Sequence, residues 1–111
     1  MKYKHLYVVT RRDLFPGYQG VQSQHALAEF AFQYPEEFKT WRRESNYLAW
    51  LSVGDEDDLK KLAIKIGRAD VKLVAFFEPD VQFQMTAIAI EPGAKSDRLL
   101  KKLPLALKGI K

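Results

Sequence analysis

The chain has 111 residues, 47% of them hydrophobic and 29% charged, with a formal net charge of +4; this suits one globular domain and leaves no room for two. Cysteine is absent, which excludes disulfides and thiolate metal sites, and His5 and His25 are too few for a histidine-rich metal centre. No apolar run approaches the roughly 20 residues that span a bilayer, and Met1–His5 lacks the apolar region of a signal peptide, so a cytoplasmic location is expected.

The first predicted strand, Tyr3 to Thr10, ends in a continuous apolar run that suits cover on both faces. Arg11-Arg12-Asp13-Leu14-Phe15-Pro16-Gly17 breaks it with a Pro-Gly turn. From Gly20 to Tyr34 the periodicity is helical: Val21, Ala28, Ala31 and Phe32 share one stripe, widened by Leu27 and Phe30. Pro35 stops that helix and starts a second, in which Glu36 and Glu37 sit at the N-terminus favoured by the helix dipole. Phe38 and Trp41 mark its inner face.

Asn46 to Val53 is the second predicted strand, and Gly54-Asp55 ends it and caps a third helix. Acids at Asp55 to Asp58 and bases at Lys60, Lys61, Lys65 and Arg68 follow the dipole of that helix, so they need no ligand to explain them. Val71 to Phe77 is the third strand and Met85 to Ile90 the fourth, joined by Glu78 to Gln84 as an antiparallel hairpin loop. Ser96 caps a last helix through about Leu103, and Pro104 begins a tail. The order β-α-α-β-α-β-β-α predicts an α/β fold in three α/β/α layers. Its four-stranded mixed sheet is mostly parallel, with one antiparallel strand from the hairpin.

Generic motifs are missing: there is no Gly-rich phosphate loop, no metal-ligand spacing and no nucleophile elbow. Position carries more weight. Ligands in open α/β sheets sit beyond the carboxyl ends of the strands, where a helix N-terminus offers free N–H groups to anions. That places the candidate site at Arg11 to Ala26. From Lys95 onward there are six Lys or Arg against one Asp, which serves either solubility or phosphate contact.

Val8-Val9-Thr10-Arg11-Arg12-Asp13-Leu14, a glycine turn, Gln22-Ser23-Gln24-His25-Ala26, and later Thr86-Ala87-Ile88-Ala89-Ile90-x-Pro92 together resemble the type 2 peptidyl-tRNA hydrolase family. The resemblance covers nearly the whole chain, including the order of its elements. It implies hydrolysis of the ester joining a peptide to the 3′ ribose of tRNA, without metal or cofactor, by a protein that commonly forms homodimers. Two departures stand out. Tyr18 or Gln19 falls where the family carries a lysine taken as catalytic. The family's aspartate-containing loop is shortened here to Glu78–Gln84, with Asp80, or less favoured Glu78, left to replace the aspartate.

The resemblance implies roles for particular residues. Asp80 and His25 activate or orient the water. Thr86, Gln22 and N–H groups near Gly20 serve the oxyanion and the terminal adenosine, with Tyr18 and Gln19 alongside. Arg11, Arg12, Lys101 and Lys102 hold phosphates. Each residue also has a plain structural reading. His25 fits a hydrogen-bonded core histidine, Asp13 a turn or cap as readily as a catalytic acid, Thr86 a β-branched strand residue and Asp80 a solvated loop acid. Arg11 and Arg12 alternate in direction, so at most one faces the site. The functional alternative is a non-catalytic RNA- or protein-binding module on the same fold.

Overall fold

The computed structural model describes residues 1–109. The elements are strand β1 (His5–Arg11), helices α1 (Pro16–Gln33) and α2 (Pro35–Glu44), strand β2 (Tyr47–Val53), helix α3 (Glu56–Arg68), strand β3 (Leu73–Glu78), a 3-10 turn (Pro79–Val81), strand β4 (Gln84–Ile90) and helix α4 (Ala94–Leu100). They form one mixed sheet in the order β2-β1-β4-β3. β1 runs parallel to β2, from His5 opposite Tyr47 to Arg11 opposite Val53, while β4 is antiparallel to both β1 and β3. The single reversed strand therefore lies inside the sheet, and two of its three pairings are antiparallel. β4 suits that interior place because Met85 to Ile90 are all buried, whereas β3 leaves Phe77 exposed at an edge.

Alternation along the strands divides the core in two. Leu6, Val8, Val74, Ala87 and Ala89 meet Ala26 and Phe30 of α1 and Trp41 of α2 on one face. Tyr7, Val9, Leu51, Val53, Ile88 and Ile90 meet Leu59 and Ile66 of α3 and Leu100 of α4 on the other. β1 lies between two strands and two helical layers, and six of its seven residues are buried. Across the second layer the Tyr7 hydroxyl donates to Asp97 of α4 at 2.7 Å. Burial and this partner push the Tyr7 phenol well above its usual range.

The inner stripe of α1 differs from the apolar stripe expected. Gln19, Gln22, Ala26 and Phe30 are its buried residues, while Val21, Ala28 and Phe32 face outward. Two of the four inward positions hold glutamines, each with its Nε2 donating to a partner inside, so apolar periodicity alone locates the wrong face. α4 differs as well. Gly93 precedes it, and Ser96 lies within its first turn, where the buried hydroxyl donates to the Glu91 carbonyl at 2.6 Å. The cap of α3 matches expectation, the Asp55 carboxylate accepting from the Asp58 N–H at 2.9 Å.

Three local features shape one end of the sheet. Phe76 faces Ala87 but Phe77 faces Met85, so Thr86 is an extra residue on β4, a β-bulge. The 3-10 turn closes with Gln82 and Phe83 both left-handed, at φ 54° and 57°. After α4, the Ser52 N–H donates to the Pro104 carbonyl and the Ala106 N–H to the Trp50 carbonyl, so residues 104–106 cover the outer edge of β2. Gln82 is exposed and its side chain makes no hydrogen bond among the described residues. Gln82→Gly is accordingly expected to raise stability by about 1 kcal/mol, read as a higher urea midpoint at unchanged m-value.

Candidate functional site

At the C-terminal end of β1 the two adjacent arginines part. Arg11 turns inward and is buried: its Nε and Nη2 grip both Asp13 oxygens at 2.8 Å, and Nη1 donates to Gln84 Oε1 at 2.8 Å and to the Met85 carbonyl at 3.2 Å. Four of its five N–H donors are thereby engaged inside the protein, which removes Arg11 from the phosphate-binding set. Arg12 is exposed and takes part in no ion pair among the described residues. Asp13 is therefore the partner of a buried cation and closes the turn. The hydrogen bond from Arg11 holds the Asp13 carboxyl below its ordinary range, and Asp13 in turn raises Arg11.

One turn into α1, a polar relay crosses the dry layer between helix and sheet. Thr86 Oγ1 donates to Gln22 Oε1 at 2.6 Å, and Gln22 Nε2 donates to Glu78 Oε1 at 3.1 Å. All three residues are buried. Thr86 reaches α1 because the bulge turns it to the same face as Ala87; in unbroken alternation it would share the opposite face with Ile88. Glu78 ends β3 instead of opening the loop, and in alternation with Val74 and Phe76 it points to α1. Its second oxygen accepts from the Asp80 N–H at 3.4 Å. Below the relay, Trp50 Nε1 donates to Thr10 Oγ1 at 2.8 Å, and the indole packs against Gly20.

Tyr18 stands beside the relay. Its enclosed hydroxyl makes no hydrogen bond of good geometry among the described residues. Burial pushes the phenol up, and the nearby carboxylates of Glu78 and Asp80 add to the effect, so it is a neutral hydroxyl at physiological pH. Gln19 is buried too, its Nε2 donating to the Leu14 carbonyl at 2.7 Å while its Oε1 lacks a partner. Gly20 lies inside α1, so its N–H belongs to the helix. The first-turn N–H groups with no helical acceptor are those of Gly17 and Tyr18, because Gln19 already donates to Phe15. α1 begins with no side-chain cap and no acid in its first turn, leaving those groups open.

Two clefts flank the ridge formed by Leu14 and Pro16. One, of about 500 Å³, is lined by Asp13, Leu14, Phe15, Pro16, Tyr18, Asp80 and Val81. The other, of about 400 Å³, lies toward residues 104–108 and includes Arg12, Gln19 and Ser52. Asp80 is exposed on the wall of the first, and its carboxylate has no partner among the described residues. His25 is neither in the core nor hydrogen-bonded there. It is exposed and stacks on Phe76, with ring centroids 4.5 Å apart and planes within 5°. It lines neither cleft. Lys101 and Lys102 are exposed just past α4, three and two residues before Pro104 meets Ser52.

Sequence reasoning reached Gln22 and Thr86 and set Asp80 ahead of Glu78 as the replacement for the family's aspartate, but it did not place Glu78 beside Gln22, and it missed Thr10, Trp50 and Gln84. Period-two alternation through Val74 and Phe76 was the available signal for Glu78. Among the described residues no three His, Asp or Glu side chains are grouped to hold a metal ion, and no helix is long and apolar enough to cross a membrane. No protein-family model matches the chain, and no curated protein matches it.

The Arg11–Asp13 pair yields a stability test. Asp13→Asn leaves a buried guanidinium facing a neutral amide, and the Asp13 side chain is 40% exposed. The expected cost is about 1–2 kcal/mol at neutral pH, between the values for exposed and buried pairs. Because the folded-state pKa of Asp13 is depressed, its contribution is complete above the ordinary carboxylate range and disappears as pH falls through the lowered value. Urea denaturation of both proteins should therefore show the difference shrinking in acid; a constant difference would contradict this role.

Proposed function

We propose that the chain hydrolyses the ester between a peptide and the 3′ ribose of tRNA. The observation that carries this reading is the free Asp80 carboxylate on a cleft that also holds Tyr18, beside the Thr86–Gln22–Glu78 relay and the open N–H groups of α1. Of the residues that carry the family resemblance, Gln22 and Thr86 belong to this group and His25 does not.

The reaction adds water across the ester: a water oxygen attacks the carbonyl carbon, the carbon–oxygen bond to the ribose breaks, and the ribose oxygen leaves as a hydroxyl. Asp80 has free lone pairs facing solvent, and it takes the water proton as general base and returns it to the departing ribose oxygen. Glu78 has both oxygens engaged and acts as a positioning residue, holding the Gln22 amide while Thr86 fixes its other end. The N–H groups of Gly17 and Tyr18 lie at the positive end of α1, where a developing oxyanion is favoured. Tyr18 supplies a neutral hydroxyl where the family has a cation. Of the four cations assigned to phosphates, Arg12, Lys101 and Lys102 are exposed and Arg11 is not.

A second reading rests on Tyr18. With no lysine in the turn, the same surface serves as an RNA-binding module without cleavage. A peptidyl-tRNA cleavage assay with the purified chain separates the two. Asp80→Asn is expected to lower the cleavage rate at least about tenfold, or 1.4 kcal/mol of transition-state stabilisation, with tRNA affinity nearly unchanged. Wild-type protein that binds tRNA but cleaves no faster than background would replace the hydrolase reading with the binding module. Neutralising Lys101 and Lys102 together should flatten the salt dependence of tRNA binding by about one to two units.

A further inference from the structure

Two unpartnered features of the molecule lie on the same side of it. β3 ends the sheet, and among the described residues no strand pairs with its outer border. The Lys72 carbonyl accepts from the Glu91 N–H at 3.0 Å, so in alternation the main-chain groups of Leu73 and Ala75 point away from β4. Over this strand runs α1, tied to it by the stack of His25 on Phe76 and by the hydrogen bond from Gln22 to Glu78. Val21, His25, Ala28 and Phe32 follow at steps of four, three and four, so they share the flank of α1 that His25 turns toward β3. All four are exposed, Phe32 at 82%. The helix has no lysine or arginine, and its one carboxylate, Glu29, accepts from Gln33, so nothing on this flank repels an apolar partner. Phe77 stands exposed at the same border on the other face of the sheet.

A strand added to β3 lies about 4.8 Å beyond it. Its main chain meets the open groups, and its alternate side chains fall under the α1 stripe and beside Phe77. Where β3 ends says which strand this is. Glu78 is its last residue, and Pro79–Val81 turn directly into the cleft that holds Asp80 and Tyr18. A peptide running parallel to β3 brings its C-terminal end, and no other part, to Asp80. We propose that the open border of β3 holds the peptide part of the ester substrate as an added parallel strand. The cleaved bond and the direction of the strand rest on the hydrolase reading. β3 has six residues and spans about 20 Å, so it holds about five or six residues of peptide. Recognition through main-chain groups tolerates any sequence, and the apolar flanks add a preference for apolar side chains at alternate positions.

The test uses the whole chain and an N-acetylated hexapeptide of alternating threonine and valine. Joined to tRNA through its terminal valine, it is expected to be cleaved with a kcat/KM at least about tenfold above that of N-acetylvalyl-tRNA. As a dye-labelled amide it should bind without tRNA, read by fluorescence anisotropy. Methylating the main-chain nitrogens of one alternate set of its residues should abolish binding, and methylating the other set should not, because only every second residue faces β3. Phe32→Ser, on the exposed flank, is expected to weaken the hexapeptide several-fold and to leave cleavage of N-acetylvalyl-tRNA unchanged. Equal kcat/KM for the long and short peptides, or equal effects of the two methylation patterns, would overturn the proposal and leave the hydrolase reading standing. A chain that binds the amide with the alternating pattern but cleaves neither tRNA keeps the strand site and loses the hydrolase reading. Should Phe32→Ser instead dissociate a dimer in sedimentation and leave peptide binding untouched, the border belongs to a second copy and the proposal fails.

Discussion

A fully buried glutamine sets the terms for one end of this protein. Gln22 brings an amide into the layer between α1 and the sheet, where an unmatched carbonyl or N–H would cost more than the burial of its stem contributes. Its oxygen needs a donor and its nitrogen an acceptor, and the sheet supplies one of each. β4 carries an extra residue so that the Thr86 hydroxyl arrives from one side, and β3 ends on Glu78, which arrives from the other. The bulge, the strand end and the helix face are thus answers to one requirement. A satisfied network of this kind also fixes the angle of α1, and with it everything at the start of that helix.

The junction between β1 and α1 divides its charges by burial. Arg11 is spent on Asp13, Gln84 and a main-chain carbonyl, tying the end of one central strand to the start of the other. Its neighbour Arg12 points the other way and stays available. The loop held by the inner arginine forms the ridge at Leu14 and Pro16, so a buried ion pair indirectly shapes two clefts that it does not line with its own cation. On one side of the ridge the polar groups are two carboxylates and the Tyr18 hydroxyl; on the other they are an amide, a hydroxyl and two cations. The surface is therefore electrically divided over the length of a single turn.

The fold was legible because its strongest signals are redundant. The Leu6–Val9 run, the proline at Pro35 and the acid-to-base gradient along α3 each specify an element by a separate physical cause. The strand order could not be read, because nothing local says that β4 will insert between β1 and β3; that follows from how evenly β4 is apolar compared with β3. The face of α1 was misread for a reason of the same kind. Apolar periodicity counts glutamine as an outward residue, and Gln19 and Gln22 are inward. Within the candidate site, Gln22 and Thr86 were found through resemblance, whereas their contact depends on a bulge that no pattern of alternation announces. His25 shows the converse: its place on a helix suggested packing in the core, but three residues from a buried position is enough to bring it to the rim, against Phe76.

The strip at residues 104–106 changes what the sheet can do in company. A sheet normally offers two unpaired borders, and a molecule with two can be joined at both, without end. Here Pro104 and Ala106 pair with Ser52 and Trp50 on the border of β2, while among the described residues no strand pairs with the outer border of β3. Contact between copies through that single border would use the same strip on each, related by a twofold axis, and would leave no border for a third. With part of the β2 border already occupied, edge-to-edge contact through β3 favours a closed pair over a filament built by the same route.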